Sequence, residues 1–150
     1  MSRLSVTVIA WNEEERLRAC LESVAWADEI VVVDAESGDK TVQIAHEYTD
    51  KVSVRAWPGF AAQKNFAIDQ ATGDWILSLD ADERVTPELR ERVRAILKED
   101  GPVDGYAMDL LRRHGDARAK RVRVIATTVA APSAPLVASP MVDADARERR

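Results

Sequence analysis

The chain has 150 residues and a mass of 16.6 kDa, enough for one domain with a single hydrophobic core. Hydrophobic residues make up 46% and charged residues 31%, and no apolar run approaches the ~20 residues of a membrane helix, so a membrane-spanning class is not expected. A single cysteine, Cys20, excludes an internal disulfide framework and a cysteine-based zinc site, and favours a reduced compartment. The net charge of −5 argues against a general nucleic-acid-binding protein.

Strands and helices alternate along the first two thirds of the chain. Apolar or β-branched runs predict strands at Leu4–Ala10, Ile30–Val33, Val52–Val54, Trp75–Leu79 and Gly105–Leu111. Capping residues followed by apolar side chains at helical spacing predict helices from Asn12 to about Ala25, after Asp39, from Phe60 to Ala71, and from Thr86 to Gly101. The alternation predicts an α/β fold: an open, mainly parallel sheet with helices on both faces.

Ligands of such sheets bind at the carboxyl ends of the strands, and three predicted loops at that edge are rich in carboxylate or amide groups. The loops are Trp11–Glu14, Asp34–Asp39 and Asp80–Glu83. Asp80 and Asp82 directly follow a buried strand, so their carboxylates can converge on one hard cation such as Mg²⁺ or Mn²⁺. A cation there can bridge a diphosphate and neutralise the charge that develops when a bond to phosphate breaks.

Each candidate residue also has a simpler structural interpretation. An isolated Asp-x-Asp is more often an acidic surface loop, and an aspartate at a strand end, such as Asp34, is more often a turn residue. Asn12 is predicted to cap the first helix. Lys64 is either a solvated helix residue or a clamp on a phosphate or a base. The chain lacks both the Gly-x-Gly-x-x-Gly and the P-loop motif, which excludes those two nucleotide-binding classes.

Four segments, taken in order, resemble a family 2 glycosyltransferase with the GT-A fold. They are Val6–Glu14 (VTVIAWNEE), Ile30–Thr41 (IVVVDAESGDKT), Ala62–Ala67 (AQKNFA) and Leu77–Glu83 (LSLDADE). The resemblance covers about Leu4 to Tyr106, and the chain is most similar to the bacterial subgroup that adds a sugar, often glucose, to the lipopolysaccharide inner core. It implies an inverting transfer from a UDP-sugar, with Mn²⁺ or Mg²⁺, to a glycan or glycolipid acceptor of the cell envelope.

The resemblance implies a nucleotide-sugar site built from the ends of the first, second and fourth strands. Its residues would be Ala10, Trp11, Asp34, Lys64, Asp80, Ala81 and Asp82. Ala10 and Trp11 would lie against the nucleoside, mainly through backbone and ring contacts. Asp34 would accept a hydrogen bond from the uracil ring, and Lys64 would lie near the base and the diphosphate.

The resemblance assigns the remaining roles to the acidic loop. Asp80 would bind the ribose, and Asp82 would hold the metal ion on the diphosphate. Complete members of the family carry a further acidic residue that acts as general base on the acceptor hydroxyl. No segment of this chain matches that residue, so the catalytic residue stays unassigned.

The sequence changes character after Tyr106. Residues 1–106 carry 12 basic and 21 acidic side chains, whereas 107–150 carry 9 and 5. Arg112–Arg123 is basic, and residues 126–142 are uncharged and rich in Ala, Pro, Ser, Thr and Val. We therefore divide the chain into a donor-binding domain, 1–111, and a tail, 112–150, predicted to be disordered or aberrant. The change is typical of a truncated or frameshifted gene; the rival interpretation is a divergent segment that contacts acidic lipid head groups.

Three functions remain open at this point. A glycosyltransferase in the cytoplasm, peripheral to the inner membrane, is the leading interpretation. A non-catalytic nucleotide-binding or interaction module is the alternative, favoured by the missing acceptor machinery. A sugar nucleotidyltransferase ranks below both, because its glycine-rich, basic phosphate loop is absent and Trp11–Glu14 stands in that place.

Overall fold

The computed structural model describes residues 3–98, 105–112 and 119–126, and these residues form seven strands and four helices. The strands are β1 (Leu4–Ala10), β2 (Glu29–Asp34), β3 (Val52–Val54), β4 (Trp75–Asp80), β5 (Glu83–Arg84), β6 (Gly105–Arg112) and β7 (Ala119–Ala126). The helices are α1 (Leu17–Glu22), α2 (Thr41–Ala45), α3 (Phe60–Gln70) and α4 (Pro87–Lys98). No helix within these residues has the length and apolar character that crossing a membrane requires.

All seven strands belong to one sheet, in the order β3-β2-β1-β4-β7-β6-β5. The first four strands of the chain pair in parallel, whereas β7, β6 and β5 continue the sheet in antiparallel pairs. Helices cover both faces of the parallel part. The prediction of an α/β fold with a mainly parallel sheet and helices on both faces is thus confirmed.

The main core lies between the sheet and three helices. Alternate residues of β1, among them Leu4, Val6 and Val8, face α1, α2 and α4. The predicted inner face of α4 is correct, because its four apolar residues at helical spacing are all buried. They are Leu89, Val93, Ile96 and Leu97. Removing apolar surface from water contributes about 25 cal/mol per Å², so the burial of these side chains in the main core stabilises the fold.

The opposite face of the sheet, beneath α3, is more polar. Val31 and Val33 of β2 form its apolar part together with Ala67 of α3. Thr7 pairs in register with Val31, so that it shares this face and is almost completely buried. Ser5, Ser78, Gln63 and Lys64 are buried as well. Polar groups buried in this way need hydrogen-bond or ionic partners, so a substitution that removes one partner leaves the other unsatisfied.

The prediction that Asn12 caps the first helix is wrong. Helix α1 begins five residues later, at Leu17, and Asn12 has a left-handed backbone with φ 49°. Its side-chain oxygen instead accepts the N–H of Gly38 at 2.9 Å. A partner distant in sequence thus takes the place of the local cap. The predicted helix start near Asp39 fares better, since Asp39 accepts the backbone N–H of Thr41 at 2.9 Å.

Strand β7 differs from the prediction of a tail without regular structure from residue 112. It spans Ala119–Ala126 and pairs antiparallel with both β4 and β6. The physical reason is visible in the sequence: Arg121, Val122, Arg123 and Val124 alternate with the period of a strand, although the segment is basic overall. Residues 127–150 lie outside the described part of the chain, and their assignment to a tail stays a prediction.

Gly73 is required where the α3–β4 connection meets β1. A Cβ atom at this position would lie 2.6 Å from Ser5 Oγ, 2.8 Å from Ser5 N and 3.0 Å from Arg3 O. Two of these atoms belong to the backbone and cannot move independently, so we expect Gly73→Ala to lower the free energy of unfolding by about 2–3 kcal/mol. Urea denaturation measures this. Gly38→Ala is the matched control, because its Cβ would meet nothing within 4 Å; equal stability of the two variants would contradict the prediction.

Glu29 ties together three segments at the amino edge of the sheet. Its carboxylate accepts hydrogen bonds from Ser5 Oγ, Lys51 Nζ and the N–H of Thr72. Burial alone would raise its pKa, but these hydrogen bonds and the Lys51 charge outweigh burial and lower the pKa to about 2. The ionised form is therefore favoured by the folded state.

This network predicts a pH-dependent stability. A carboxyl whose pKa is depressed on folding stabilises the protein above its unfolded pKa, near 4.5, and the contribution disappears as the pH falls towards 2. We expect Glu29→Gln to cost up to about 3 kcal/mol at pH 7 and much less at pH 2.5, as measured by urea denaturation. Glu36→Gln, which removes an exposed carboxylate, is the control. A Glu29→Gln deficit that is the same at both pH values would refute this assignment.

Candidate functional site

The candidate site lies where the parallel strands end. Strand register places Ala10 beside Asp34, and Asp34 beside Val54. Backbone hydrogen bonds hold the next residues at the same level: Ala35 N donates to Ala10 O at 2.9 Å, and Ala81 N donates to Ile9 O at 3.1 Å. The three loops predicted to carry ligand groups therefore begin side by side.

The loop after β4 forms an acidic cluster. Carboxylate oxygens of Asp80, Asp82 and Glu83 lie within 4.8 Å of one another. The Glu83 side chain is buried, and its Oε2 accepts the N–H of Asp80 at 2.9 Å, which folds the loop back on itself. Three oxygen donors at this spacing suit a hard divalent cation. The spacing predicts that Asp80 and Asp82 can share a cation, and the family resemblance gives the metal to Asp82. Neither points to Glu83, because the approach of its carboxylate depends on this turn.

Lys64 lies beneath this cluster and pairs with Asp80. Its Nζ is 2.8 Å from Asp80 Oδ1, and only 5% of the lysine side chain is exposed. The interpretation of Lys64 as a solvated helix residue is therefore wrong. The ammonium group partly neutralises the acidic loop and fixes the direction of the Asp80 carboxylate.

The loop after β1 brings a fourth carboxyl, that of Glu13, into electrostatic interaction with the acidic loop. Burial raises the pKa of Glu13, and the charges of Asp82, Asp39 and Asp80 raise it further. Arg16, whose Nη1 lies 3.3 Å from Glu13 Oε2, acts in the opposite direction without cancelling the effect. Burial is the main cause of the raised pKa of Glu13, and the neighbouring carboxylates add to it, so Glu13 lies in a partly desolvated, acidic part of the site.

Asp34 is completely buried and turned towards its own loop. Its Oδ2 accepts the N–H of Ser37 at 2.8 Å, and its Oδ1 accepts the Ser37 hydroxyl at 2.5 Å. The alternative interpretation as a turn residue is thus correct. Each carboxylate oxygen can accept a second hydrogen bond, so contact with a uracil ring stays a prediction.

Cys20 lies directly under the acidic loop, with its Sγ 3.8 Å from the Asp80 carbonyl oxygen. Burial, reinforced by the charges of Glu83, Asp80 and Asp82, raises the pKa of its thiol far above the usual range. The thiol is therefore protonated and serves as a packing group, not as a nucleophile or a metal ligand.

The structure brings the predicted residues to one edge but in different states. The acidic loop contains Asp80 and Asp82, and Lys64 pairs with Asp80. Ala10 and Ala81 are buried, so only their backbone can contact a ligand, whereas Trp11 is 62% exposed beside them. Within the described segments the general base stays unassigned.

The open α/β sheet with helices on both faces has the GT-A fold of glycosyltransferases, and its acidic loop lies at the carboxyl edge of the sheet. Comparison with known families agrees with this class. The chain belongs to glycosyl transferase family 2, whose family model matches residues 5–128. The resemblance found in the sequence is confirmed, and the match extends beyond Tyr106 to include β6 and β7.

Curated relatives resemble about two thirds of the chain. A glycosyltransferase of uncharacterised function from Rickettsia typhi is 41% identical over 97 residues, covering 64% of this chain and 33% of the relative. The lipopolysaccharide core biosynthesis glycosyltransferase LpsC of Rhizobium meliloti is 36% identical over 108 residues, covering 69% and 40%. The chain thus spans about a third of the length of the first of these relatives.

Solved structures show the same fold. The structure of Staphylococcus aureus TarS in complex with UDP-GlcNAc superposes with a TM-score of 0.56 at 30% identity, covering 69% of this chain and 33% of that one. A mannosyltransferase from Pyrobaculum calidifontis in complex with GDP-Man and Mn²⁺ has a TM-score of 0.57 at 24% identity, covering 69% and 34%. The second likeness bears on the fold alone.

Proposed function

We propose that the chain is the donor-binding part of a glycosyltransferase that takes a UDP-sugar with Mn²⁺ or Mg²⁺. The observation that carries the proposal is the cluster of Asp80, Asp82 and Glu83 at the carboxyl edge of the sheet. The TarS structure, which is 30% identical to the chain over the matched part, was solved in complex with UDP-GlcNAc and supports a uridine nucleotide as the donor. The acceptor follows by analogy with LpsC: a lipopolysaccharide-core or other cell-envelope glycan.

The residues of the acidic loop fit a divalent cation. Asp82 would hold it, with Glu83 as a further oxygen donor from the same turn. A bound cation would supply charge neutralisation for the diphosphate leaving group during an inverting transfer. Lys64 pairs with Asp80 at 2.8 Å, and the Asp80 carboxylate would accept a hydrogen bond from a ribose hydroxyl.

The nucleoside end of the proposed site is formed by the β1 and β2 loops. The exposed ring of Trp11 offers a face on which a base can stack, and the backbone at Ala10 lies at its side. The buried carboxylate of Asp34 would accept a hydrogen bond from the ring N–H of uracil. Glucose is the sugar we propose to be transferred, and the place of action is the cytoplasmic side of the inner membrane, with peripheral contact.

Calorimetric titration with UDP tests this proposal. We expect UDP to bind with Mn²⁺ or Mg²⁺ present, and chelation of the metal to weaken binding at least ~10-fold, because the diphosphate then faces uncompensated carboxylates. GDP is the comparison nucleotide and should bind more weakly. Binding of UDP that is unaffected by chelator, or no binding by the folded chain, would contradict the proposal.

A non-catalytic nucleotide-binding module is the second candidate function. The observation that favours it is the lack of an assigned general base within residues 3–98 and the two described strands that follow. Release of UDP from UDP-glucose in the presence of a lipopolysaccharide-core acceptor distinguishes the two. Binding without release would favour the module.

A further inference from the structure

Hydrogen bonds join the loop after β1 (Trp11–Glu14) to the loop after β2 (Ala35–Lys40), and the proposed function assigns them no role. The backbone N–H of Asn12 donates to Ser37 Oγ at 2.8 Å, and Asn12 Oδ1 accepts the N–H of Gly38 at 2.9 Å. Asn12 thus uses both its backbone and its side chain on the neighbouring loop. Trp11, the exposed ring of the site, directly precedes it.

Ser37 is the centre of this connection. Its hydroxyl donates to Asp34 Oδ1 while accepting from Asn12, and its own N–H donates to Asp34 Oδ2. A continuous chain of hydrogen bonds therefore runs from the buried Asp34 carboxylate through Ser37 to the residue after Trp11. Removing the hydroxyl would break two of its links at once.

The backbone of both loops depends on these bonds. Asn12 and Glu36 have φ values of 49° and 57°, in the left-handed region that non-glycine residues rarely adopt. Such conformations persist where surrounding contacts determine them. The contacts beside these two residues are the bonds that Asn12 and Ser37 make across the two loops. The residues that follow in both loops are held by separate bonds of Glu13 and Glu14.

We infer that Ser37 is a positioning residue that holds the Trp11 loop in its binding conformation and, with it, sets the affinity for the base end of the donor. The inference rests on the proposed function, since it takes the base end of a uridine nucleotide as the ligand. A loop held in place before binding loses less conformational freedom when the ligand arrives. Because Ser37 acts on the nucleoside end, its effect is independent of the metal.

The test compares Ser37→Ala with Ser37→Thr, which keeps the hydroxyl. Calorimetry with uridine and with UDP, each with Mn²⁺ and with chelator, should show Ser37→Ala weakening both ligands by the same factor, about 10-fold. Ser37→Thr should retain most of the affinity. Hydrogen exchange of the Asn12 and Gly38 amides is the second readout, and both should exchange faster in Ser37→Ala than in the unchanged chain.

Each outcome decides the inference. Equal loss of uridine and UDP affinity, rescued by threonine and accompanied by faster amide exchange, supports it. Unchanged affinity in Ser37→Ala despite faster exchange overturns the role in binding, and unchanged exchange overturns the coupling of the loops. If the unchanged chain binds neither ligand, the proposed function fails and the role of Ser37 in binding fails with it, whereas the amide exchange still decides whether it couples the loops.

Discussion

Asp82→Asn is expected to abolish the metal-dependent part of UDP binding. The substitution keeps the size of the side chain but removes a negative charge from a cluster whose three carboxylates lie within 4.8 Å of one another. A hard cation loses most of its affinity when an anionic oxygen ligand becomes a neutral amide. Substituting a residue that only supports a metal ligand typically lowers metal affinity or activity about 10–100-fold. We therefore expect Asp82→Asn to weaken the binding of UDP, measured with Mn²⁺, by about 100-fold or more.

The matched control for this variant is Asp69→Asn. Asp69 is an exposed aspartate near the end of α3, at the opposite edge of the sheet, so it changes the net charge equally without touching the site. Binding of UDP to Asp82→Asn should also become insensitive to chelator. An Asp82→Asn chain that keeps both its affinity and its response to chelator would show that the metal is held elsewhere or not at all.

Lys64→Met is expected to have the largest effect on stability. It removes the ammonium group 2.8 Å from Asp80 and leaves a carboxylate that is about four-fifths buried without its cation. Breaking one half of a buried ion pair costs about 3–5 kcal/mol, and we expect the lower end because Asp80 keeps 21% of its side chain exposed. Urea denaturation at pH 7 measures the change.

The double variant Lys64→Met with Asp80→Asn distinguishes a lost pair from a lost packing contact. Removing both charges should recover a large part of the stability, because no unpaired charge then remains in the interior. If the double variant is as unstable as Lys64→Met alone, the lysine stem rather than the ion pair is responsible. A loss below about 1 kcal/mol in Lys64→Met would mean that the pair behaves like a solvated surface pair.

The sequence predicts the central strands well because their signal is local. Continuous apolar runs such as Ile30–Val33 are buried on both faces of the sheet. Such a run predicts a strand without any information on the rest of the chain. The acidic loop was also predictable, since Asp80 and Asp82 follow the last buried residue of β4. Strand topology alone then brings them to the ligand edge.

The misses share a physical cause, which is that the deciding partner lies far along the chain. Asn12 is of a residue type that often caps helices, but its side-chain oxygen accepts the N–H of Gly38 instead. Lys64 has no local feature that distinguishes it from a solvated lysine, and only the packing of α3 on the sheet buries it against Asp80. Ser37 is a common turn residue, and its link to Asn12 exists only once β1 and β2 lie side by side.

Strand β7 has a consequence for the order in which the protein can fold. The outer edge of β4 is covered by a strand that leaves the ribosome long after β4 itself, since Ala119–Ala126 pairs with Trp75–Leu77. Until then β4 presents unpaired N–H and C=O groups along an open edge, which is a template for pairing with another chain. While the acidic loop has been synthesised but β7 has not, that edge stays open, and β7 then serves as its cover at Trp75–Leu77 as well as an element of the sheet.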